Sequence, residues 1–482
     1  MKNIDRNLTM LCDFYELTMA NGYEKCGLGD TYVYFDVFYR DNPDNAGYAI
    51  AAGLEQIVNY INDLHFDAED IEYLRSKGIF DEKFLEYLKN FRFEGDVWAV
   101  PEGTVIFPGE PLITVRAKAP QAQFIETYVL MQFNHQSCIA TKASRIVRAA
   151  DGRAVSEFGS RRAQGSDAAI LGARAAYIGG CAATACTITD EAYGVPATGT
   201  MAHSWVQMFP DEYTAFKTYC EIYPNAATLL VDTYNVLESG VPNAIRAFRE
   251  VLLPRGIKNC AIRIDSGDIT YLTKKVRRML DNAGFPQCKI VISNSLDEYI
   301  IRDIIRQGAC VDAFGVGERL ITSKSSPVFG GVYKLSAVED PATGEIIPKI
   351  KLSENAQKIT TPHFKKVYRL YDRDNGKAEA DLICVYDENV DDTKPIEIFD
   401  PQYTWKRKTL DNVRAEELLV PIYVNGKQVY TLPTLKEIKD RCASQLATMW
   451  EEVLRFENPH NYYVDLSQKL WDIKHEMINS KR

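Results

Sequence analysis

The chain has 482 residues, of which 46% are hydrophobic and 25% charged, a composition typical of a globular protein with two or three domains. Its formal net charge of −10 argues against a general nucleic-acid-binding surface, which needs many Lys and Arg residues to neutralise phosphates. No segment approaches the roughly 20 apolar residues of a membrane span, and charges near the N-terminus interrupt the apolar run of a signal peptide. We therefore expect a cytoplasmic protein with no nucleic-acid or membrane partner.

Residues 1–120 predict a mixed α/β segment. A helix is predicted for the segment LCDFYELTMANGYEKCG and a strand for TYVYFDVFYR. Amphipathic helices are predicted between Gly53 and Asn90. The stretch DVWAVPEGTVIFPGEPLITVRA then alternates short β runs with Pro- and Gly-rich turns, which predicts a small half-barrel or sandwich layer.

Residues 121–340 alternate apolar strand candidates with helical segments, which predicts βα units around a parallel sheet. Six strand candidates begin with apolar residues and end in polar or glycine residues: AVSEFGSRR, ATGTMAHS, TLLVDTY, CAIRIDSGD, KIVISNS and DAFGVGE. In a βα barrel such strand ends lie together on one face, where active sites are built. The six endings therefore predict one shared pocket.

Residues 341–482 contain charged loops and a helical tail, QLATMWEEVLRFENP, and predict a cap or accessory domain. The eleven cysteines of the whole chain are odd in number and scattered from Cys12 to Cys442. We therefore expect free buried thiols rather than disulfides or a zinc site, in keeping with a reducing compartment.

Charged side chains at the strand ends suit a phosphorylated sugar. Arg161 and Arg162 supply guanidinium groups for phosphate or carboxylate. Asp232, Asp265 and Asp268 supply acceptors for ribose hydroxyls, or ligands for a divalent ion that bridges phosphates. Because aspartates at strand ends also cap helices, a purely structural role stays open for each of them.

Three other features bear on the pocket. Gly315 and Gly317 would let backbone amides approach an anion, although an isolated Gly-x-Gly is weak evidence. His203 has small neighbours, which favours contact with a ligand, and a neutral imidazole can accept a phosphoryl group. Tyr15 lies on an early helix, where an aromatic side chain more often belongs to the core.

Seven sequence blocks resemble, in order and spacing, those of the nicotinate phosphoribosyltransferases: DFYELTMANGY, EFGSRRAQG, GTMAHS, LVDTYN, RIDSGD, SNSLDE and GVGERL. The resemblance implies a type II fold, with an irregular, incomplete βα (TIM-like) barrel over 121–340. An N-terminal α/β sandwich domain would cover 1–120 and a C-terminal extension 341–482. The implied reaction joins nicotinate to phosphoribosyl pyrophosphate and forms nicotinate mononucleotide and pyrophosphate, the first step of NAD salvage from nicotinate.

The resemblance also implies a nicotinate site. Arg263 and Thr200 would meet the nicotinate carboxylate, and Phe158 would line the same site. Tyr15, contributed by the second subunit of a homodimer, would stack on the pyridine ring.

His203 matches the histidine that this family phosphorylates from ATP, so ATP would be a co-substrate of a C–N bond-forming ligase. Catalytic roles are implied for His203, Asp232 and Asp265, and Mg²⁺ would be held by the substrate with help from Asp265 rather than by a protein cage. The implied phosphoribosyl pyrophosphate contacts are Arg161, Arg162, Ser204, Asp268, Asn294, Gly315, Gly317 and Glu318.

Two positions depart from the family pattern. Glu318 stands where many relatives have a small hydroxyl residue, and its carboxylate would repel an anion unless it is paired with Arg319 or Lys324. Ser295 stands where some relatives have asparagine, so hydrogen bonding beside Asn294 would differ.

Two alternatives stay open. A nicotinamide phosphoribosyltransferase must recognise a neutral amide, which an acid near the base would favour; no acidic residue lies between Asp167 and Asp190, and this favours nicotinate. The second alternative is a non-catalytic nucleotide-binding barrel, and the near-complete set of Arg, His and Asp residues argues against it.

Overall fold

The computed structural model describes residues 7–355 and 358–480. The strands are β1 Tyr32–Phe38, β2 Ala49–Ile50, β3 Asp96–Ala99, β4 Val105–Ile106, β5 Ile113–Lys118, β6 Ala154–Glu157, β7 Ala183–Thr184, β8 Thr228–Leu230, β9 Ala261–Ile264, β10 Lys289–Asn294, β11 Ala313–Val316, β12 Val332–Glu339, β13 Ile346–Pro348, β14 Lys365–Asp372, β15 Ala378–Val385, β16 Ile396–Phe399, β17 Arg407–Leu410, β18 Val413–Glu417, β19 Val420–Val424, β20 Lys427–Gln428 and β21 Tyr463–Leu466.

The helices are α1 Phe14–Lys25, α2 Leu54–Asp63, α3 Ala68–Ser76, α4 Glu82–Lys89, α5 Ala119–Phe124, α6 Glu126–Ala149, α7 Ser166–Ile178, α8 Thr187–Tyr193, α9 His203–Gln207, α10 Glu212–Ile222, α11 Val241–Ala247, α12 Ile269–Asn282, α13 Glu298–Arg306, α14 Glu318–Ile321, α15 Leu435–Thr448 and α16 Gln468–Ser480. The described helices include none with an apolar stretch long enough to cross a lipid bilayer.

The described chain divides into two compact units. Unit 1 contains residues 139–327, and unit 2 combines the described residues before 139 with those after 327. The division into domains 1–120, 121–340 and 341–482 stays a prediction. In unit 2 the N-terminal and C-terminal parts of the chain supply strands to the same sheet.

Unit 1 is built on a six-stranded sheet in the order β7-β6-β11-β10-β9-β8, and its neighbouring strands run parallel. The central strands each bury one apolar face: Ile262 and Ile264 of β9, and Ile290 and Ile292 of β10, are fully buried. The predicted βα units around a parallel sheet are confirmed. The closure of this sheet into a barrel stays a prediction.

One strand prediction in unit 1 is wrong. ATGTMAHS forms no strand: Ala197 makes a single bridge with Thr184, and the following residues run without regular structure to α9. Ala197 and Gly199 are exposed, so this segment of small residues buries too little apolar surface to hold a place in the sheet. The sixth strand is instead β7.

Unit 2 contains a seven-stranded sheet in the order β13-β12-β1-β5-β3-β19-β20, with neighbouring strands antiparallel. A four-stranded sheet in the order β18-β14-β15-β21 accompanies it. The predicted early helix, aromatic strand, amphipathic helices and short β runs correspond to α1, β1, α2–α4 and β3–β5. The eleven cysteines are thiols and eight of them are buried, which confirms this prediction.

The predicted helical tail is only partly correct. Helix α15 ends at Thr448, and the residues that follow form turns. Lys377 Nζ donates to the carbonyl oxygens of Ala447 and Met449, both at 2.9 Å. A cation bonded to these last carbonyl groups favours the end of the helix at this point.

Candidate active site

The carboxyl ends of the parallel strands in unit 1 border a cavity of about 300 Å³. Val316 of β11 lies in register with Asn294 of β10 and with Glu157 of β6, so the residues that follow these strands meet at one edge. The cavity is lined by Phe158, Arg161, Arg162, Ala185, Thr198, Gly199, Thr200, Arg263, Asp265, Ser293, Asn294, Ser295, Gly315, Gly317 and Glu318. Most of the predicted site residues are therefore brought together.

Arg263, near the end of β9, is the centre of a hydrogen-bond network in the cavity. Its Nε donates to Ser293 Oγ at 2.5 Å, and Nη2 donates to Asp265 Oδ1 at 2.9 Å. Nη1 donates to Thr200 Oγ1 at 3.1 Å, so the two residues expected at the nicotinate carboxylate lie in contact. The Arg263 side chain is 15% exposed, and this partial desolvation strengthens its attraction for an anion.

Ser293 is a site residue that the sequence analysis did not predict. Its hydroxyl accepts from Arg263 and donates to Asp265 Oδ1 at 2.5 Å, and the residue is only 4% exposed. A serine inside the otherwise apolar run IVIS was the available signal, because a buried hydroxyl must find a hydrogen-bond partner. The partner itself lies on a neighbouring strand and could not be identified from the sequence.

Phe158 lies beside this network. The guanidinium carbon of Arg263 is 5.6 Å from the centroid of the Phe158 ring. A Cβ atom at Gly315 would lie 2.4 Å from Phe158 Cδ2, so the ring occupies the space that a side chain at Gly315 would need. Gly315 therefore has a packing role, and the approach of its amide to an anion stays a prediction.

The loop after β6 is held by a buried acid. Glu157 Oε2 accepts from Thr184 Oγ1 at 2.7 Å, and its Oε1 accepts from the backbone N–H of Gly159. Burial raises the pKa of Glu157 above its ordinary value, against the effect of these hydrogen bonds. These contacts fix the turn that carries Phe158 into the cavity.

His203, the first residue of α9, and Asp232 are not among the residues that line the cavity, but they face each other. His203 Nδ1 lies 3.1 Å from Thr233 Oγ1, and Nε2 lies 4.0 Å from Asp232 Oδ1. Asp232 Oδ2 accepts from the N–H of Asp265 and from Ser266 Oγ, whereas Oδ1 has no hydrogen-bond partner within the described residues. The His203 side chain is 41% exposed and that of Asp232 is 1% exposed, so an accessible imidazole has a buried carboxyl group beside it.

Exposed charged residues form another side of the cavity. Arg161 and Arg162 lie in the 3-10 turn Ser160–Arg162. Glu318 Oε1 accepts from Lys324 Nζ at 2.6 Å, and Glu318 Oε2 lies 3.9 Å from Arg162 Nε. The hydrogen bond from Lys324 lowers the pKa of Glu318, so the carboxylate is ionised and paired. Lys324 is one of the two partners that the sequence analysis considered for this glutamate.

The other partner considered for Glu318 has a different role. Arg319 pairs with Asp297, which also accepts from two backbone N–H groups at the start of α13. In the same loop, the backbone N–H of Ser295 donates to Asn294 Oδ1 at 2.6 Å. The loops after β10 and β11 are thus joined by the Arg319–Asp297 pair.

The remaining predicted residues do not line the cavity. Asp268 caps α12 by accepting from the N–H of Tyr271 at 2.7 Å, which confirms the structural role left open for it. Ser204 is an exposed residue of α9. Tyr15 is a residue of unit 2 and is 43% exposed. Roles for these three residues in ligand binding stay predictions.

Within residues 7–355 and 358–480, no three His, Cys, Asp or Glu side chains are grouped so that they could hold a metal ion. Asp265 is 36% exposed at the cavity, and one Asp232 oxygen is without a partner in this part of the chain. Single carboxylates of this kind suit an ion whose other ligands come from substrate phosphates and water.

Known proteins resemble the chain along its whole length. Residues 10–134 match the nicotinate phosphoribosyltransferase (NAPRTase) N-terminal domain, and residues 364–474 match the nicotinate phosphoribosyltransferase C-terminal domain. The nicotinate phosphoribosyltransferase of Bacillus subtilis is 41% identical over 475 residues, which cover 98% of this chain and 96% of that protein. The pncB2 nicotinate phosphoribosyltransferase of Mycobacterium tuberculosis is 37% identical over 463 residues, or 96% of this chain and 92% of that protein.

A solved structure gives the same result. The human nicotinic acid phosphoribosyltransferase superposes with a TM-score of 0.84 at 27% identity, covering 97% of this chain and 100% of that one. Its mixed α/β fold is therefore shared with this chain. With relatives at this identity and coverage, the chain belongs to the nicotinate phosphoribosyltransferase family.

Proposed function

We propose that the cavity of unit 1 binds nicotinate against Arg263 and transfers the phosphoribosyl group to it. The observation that carries this proposal is the contact between Arg263 and Thr200 beside the Phe158 ring. A guanidinium group and a hydroxyl suit a carboxylate, and an aromatic ring suits the flat pyridine. The names of the relatives support the same substrate.

Phosphoribosyl pyrophosphate would bind on the side of the cavity that carries Arg161 and Arg162. These exposed arginines can form forked hydrogen bonds to phosphate. Asn294, Gly315 and Gly317 line the same cavity and would supply further donors. We keep Ser204 and Asp268 as proposed contacts, although Asp268 already caps a helix. Glu318 would also lie against this substrate, where its carboxylate would compete with the phosphates for Lys324.

In the transfer step, the pyridine nitrogen of nicotinate forms a bond to the anomeric carbon of the ribose while the bond from that carbon to the pyrophosphate oxygen breaks. The electron pair of the broken bond leaves with pyrophosphate. Positive charge develops on the sugar, and the carboxylate of Asp265, which lines the cavity, would stabilise it. Asp232, which accepts from the N–H of Asp265, would add to this effect. Mg²⁺ bound to the substrate phosphates, with Asp265 as a protein ligand, would stabilise the charge of the leaving group.

We further propose that His203 is phosphorylated by ATP, which couples ATP hydrolysis to transfer. One imidazole nitrogen would take the phosphoryl group from ATP and release ADP, and water would later release the phosphate. The buried Asp232 carboxylate, 4.0 Å from Nε2, would stabilise the positive charge of the imidazole while it carries a proton on its other nitrogen. An enzyme with this phosphohistidine mechanism would be an ATP-coupled ligase.

Two larger features belong to the same proposal. The six-stranded parallel sheet of unit 1 would form the wall of an incomplete βα barrel. A homodimer would place Tyr15 of a second copy against the pyridine, and the exposure of Tyr15 on α1 supports this role. The cytoplasmic location stays a prediction.

One observation favours nicotinamide as a second candidate substrate. Asp265 contacts Arg263 at 2.9 Å, so an acid lies beside the proposed carboxylate site and neutralises part of the guanidinium charge. A carboxamide could donate to such an acid. Turnover of nicotinate and nicotinamide at equal concentration distinguishes the two, and we expect nicotinate to be strongly preferred.

The proposal is tested by steady-state assays with nicotinate, phosphoribosyl pyrophosphate, Mg²⁺ and ATP, following nicotinate mononucleotide and ADP together. We expect His203→Ala to lose nicotinate-stimulated ADP formation and to retain slow transfer, since the histidine couples ATP to a reaction that other groups catalyse. His460→Ala, in unit 2, is the matched control and should retain both activities. If His203→Ala keeps both activities unchanged, the phosphohistidine mechanism is wrong.

A further inference from the structure

Ser293 bridges a guanidinium group and a carboxylate in the cavity of unit 1. Its Oγ lies 2.5 Å from Arg263 Nε and 2.5 Å from Asp265 Oδ1. The same Asp265 oxygen also accepts from Arg263 Nη2 at 2.9 Å. The serine hydroxyl therefore accepts from the guanidinium group and donates to the carboxylate, and the three side chains form a closed ring of hydrogen bonds.

This ring limits how much of the guanidinium group Asp265 can neutralise. A carboxylate and an arginine prefer the forked geometry in which Nε and one Nη donate to the two carboxylate oxygens. Here Arg263 Nε donates to Ser293, so Asp265 accepts only from Nη2. Without the hydroxyl, Arg263 could rotate into a full fork with Asp265 and present less positive charge to the cavity.

The hydroxyl also sets the direction of the third nitrogen. With Nε and Nη2 held by Ser293 and Asp265, Nη1 is left beside Thr200 Oγ1 at 3.1 Å and the carbonyl oxygen of Met201 at 3.4 Å. These two contacts are longer than those on the other edge, so an anion can displace them at lower cost.

We propose that Ser293 is a positioning residue that sets the preference of this site for a carboxylate over a carboxamide, by keeping Arg263 out of a forked pair with Asp265. The inference deepens the proposed function, because it rests on Arg263 as the group that meets nicotinate. Ser293 does not touch the reacting atoms, and it acts through the guanidinium group alone.

The test is the kinetics of Ser293→Ala with nicotinate, nicotinamide and phosphoribosyl pyrophosphate as the varied substrates. The expected result is a KM for nicotinate raised about tenfold, the factor for loss of one hydrogen bond to a charged group. The KM for phosphoribosyl pyrophosphate should stay within about twofold of wild type, because this substrate does not meet Arg263. The inhibition constant of nicotinamide should also stay within about twofold, because its neutral carboxamide depends little on the charge of the guanidinium group.

Two further variants keep the test decisive if Ser293→Ala folds poorly. Ser293→Thr retains the hydroxyl and should keep the wild-type KM for nicotinate, whereas Ser293→Cys has nearly the same size but a weak hydrogen-bonding group and should raise it. Ser144→Ala removes another buried serine hydroxyl of unit 1, in α6. This control should leave the KM for nicotinate and the inhibition constant of nicotinamide unchanged.

An unchanged KM for nicotinate in Ser293→Ala and Ser293→Cys would overturn the inference, as would equal losses for nicotinate and nicotinamide. Wild-type protein that fails to turn over nicotinate would instead overturn the proposed function. The two failures are therefore separate.

Discussion

At the scale of single residues, exposure determines which charged groups of the cavity are held and which are free to respond to a ligand. The Arg263 side chain is 15% exposed and has partners on all three nitrogens. Glu318 and Lys324 are 41% and 59% exposed, so solvent screens their pair. The first group is preorganised, and the second can exchange partners when an anion binds.

We predict that Glu318→Gln lowers the KM for phosphoribosyl pyrophosphate by about two- to fivefold, the range expected when an exposed charge is removed. Glu318 pairs with Lys324 and lies close to Arg162, so the substrate phosphates must compete with its carboxylate for both cations. Initial rates at low ionic strength measure the effect, which should shrink as salt is added.

The matched control is Glu82→Gln, which breaks an exposed pair with Arg75 in unit 2. This variant should leave the KM unchanged. An increase in KM for Glu318→Gln would show that the carboxylate assists binding, for example through Mg²⁺, and would contradict the prediction.

At the scale of secondary structure, two adjacent parallel strands form the aromatic side of the cavity. Strand β6 leads to Phe158, and β11 leaves room for its ring at Gly315. Gly315 does not have a left-handed backbone conformation. A glycine is therefore needed at this position because of the ring contact and not because of the backbone angle.

Gly315→Ala should therefore destabilise unit 1 by about 1–3 kcal/mol, the usual cost of overpacking, and should raise the KM for nicotinate because the Phe158 ring must move. Thermal unfolding and steady-state kinetics measure the two effects. Gly22→Ala in α1, where an added Cβ meets no atom within 4 Å, is the control and should not lower the melting temperature. A stable Gly315→Ala protein with normal nicotinate kinetics would refute the packing role.

At the scale of the whole molecule, buried carboxyl groups make stability depend on pH. The Glu16 side chain in unit 2 accepts from Thr127 N at 3.0 Å and from Thr127 Oγ1 at 2.6 Å, while its second oxygen has no partner among the described residues. Burial raises the pKa of Glu16 to about 8, from an ordinary value of 4.5. The folded protein therefore retains a proton that the unfolded chain releases above the ordinary pKa.

Because the folded pKa is raised, the stability that Glu16 contributes is present below about pH 4.5 and is lost as the pH rises through about 8. We predict that Glu16→Gln, which is neutral at every pH and keeps the acceptor for Thr127, removes this dependence. The melting temperature of wild type relative to the variant should fall steadily between about pH 5 and about pH 8. A difference that stays constant over this range would show that Glu16 is ionised in the folded protein throughout.

The distance along the chain over which an interaction acts determines whether the sequence predicts it. The strands β6, β8, β9, β10 and β11, with their polar endings, were predictable because apolar runs and turn residues are local signals, and parallel topology brings strand ends to one edge. Arg263 and Thr200 were assigned to the nicotinate carboxylate through the family resemblance; their side chains lie in contact, and their role stays a prediction. The ATGTMAHS strand was predicted wrongly because burial, rather than local pattern, determines whether a short segment joins a sheet.

The sequence by itself therefore determined the parallel sheet, the identity of most cavity residues and the family. Only the tertiary structure decided the position of Ser293 between Arg263 and Asp265, the packing of the Phe158 ring on Gly315, and the choice of Lys324 over Arg319 as the partner of Glu318. It also decided that strands from both ends of the chain share the sheet of unit 2. The Ser293 network, the Phe158–Gly315 contact and the shared sheet join residues far apart in the chain, and the Glu318–Lys324 pair depends on side-chain directions within one turn. Local sequence patterns encode neither kind of information.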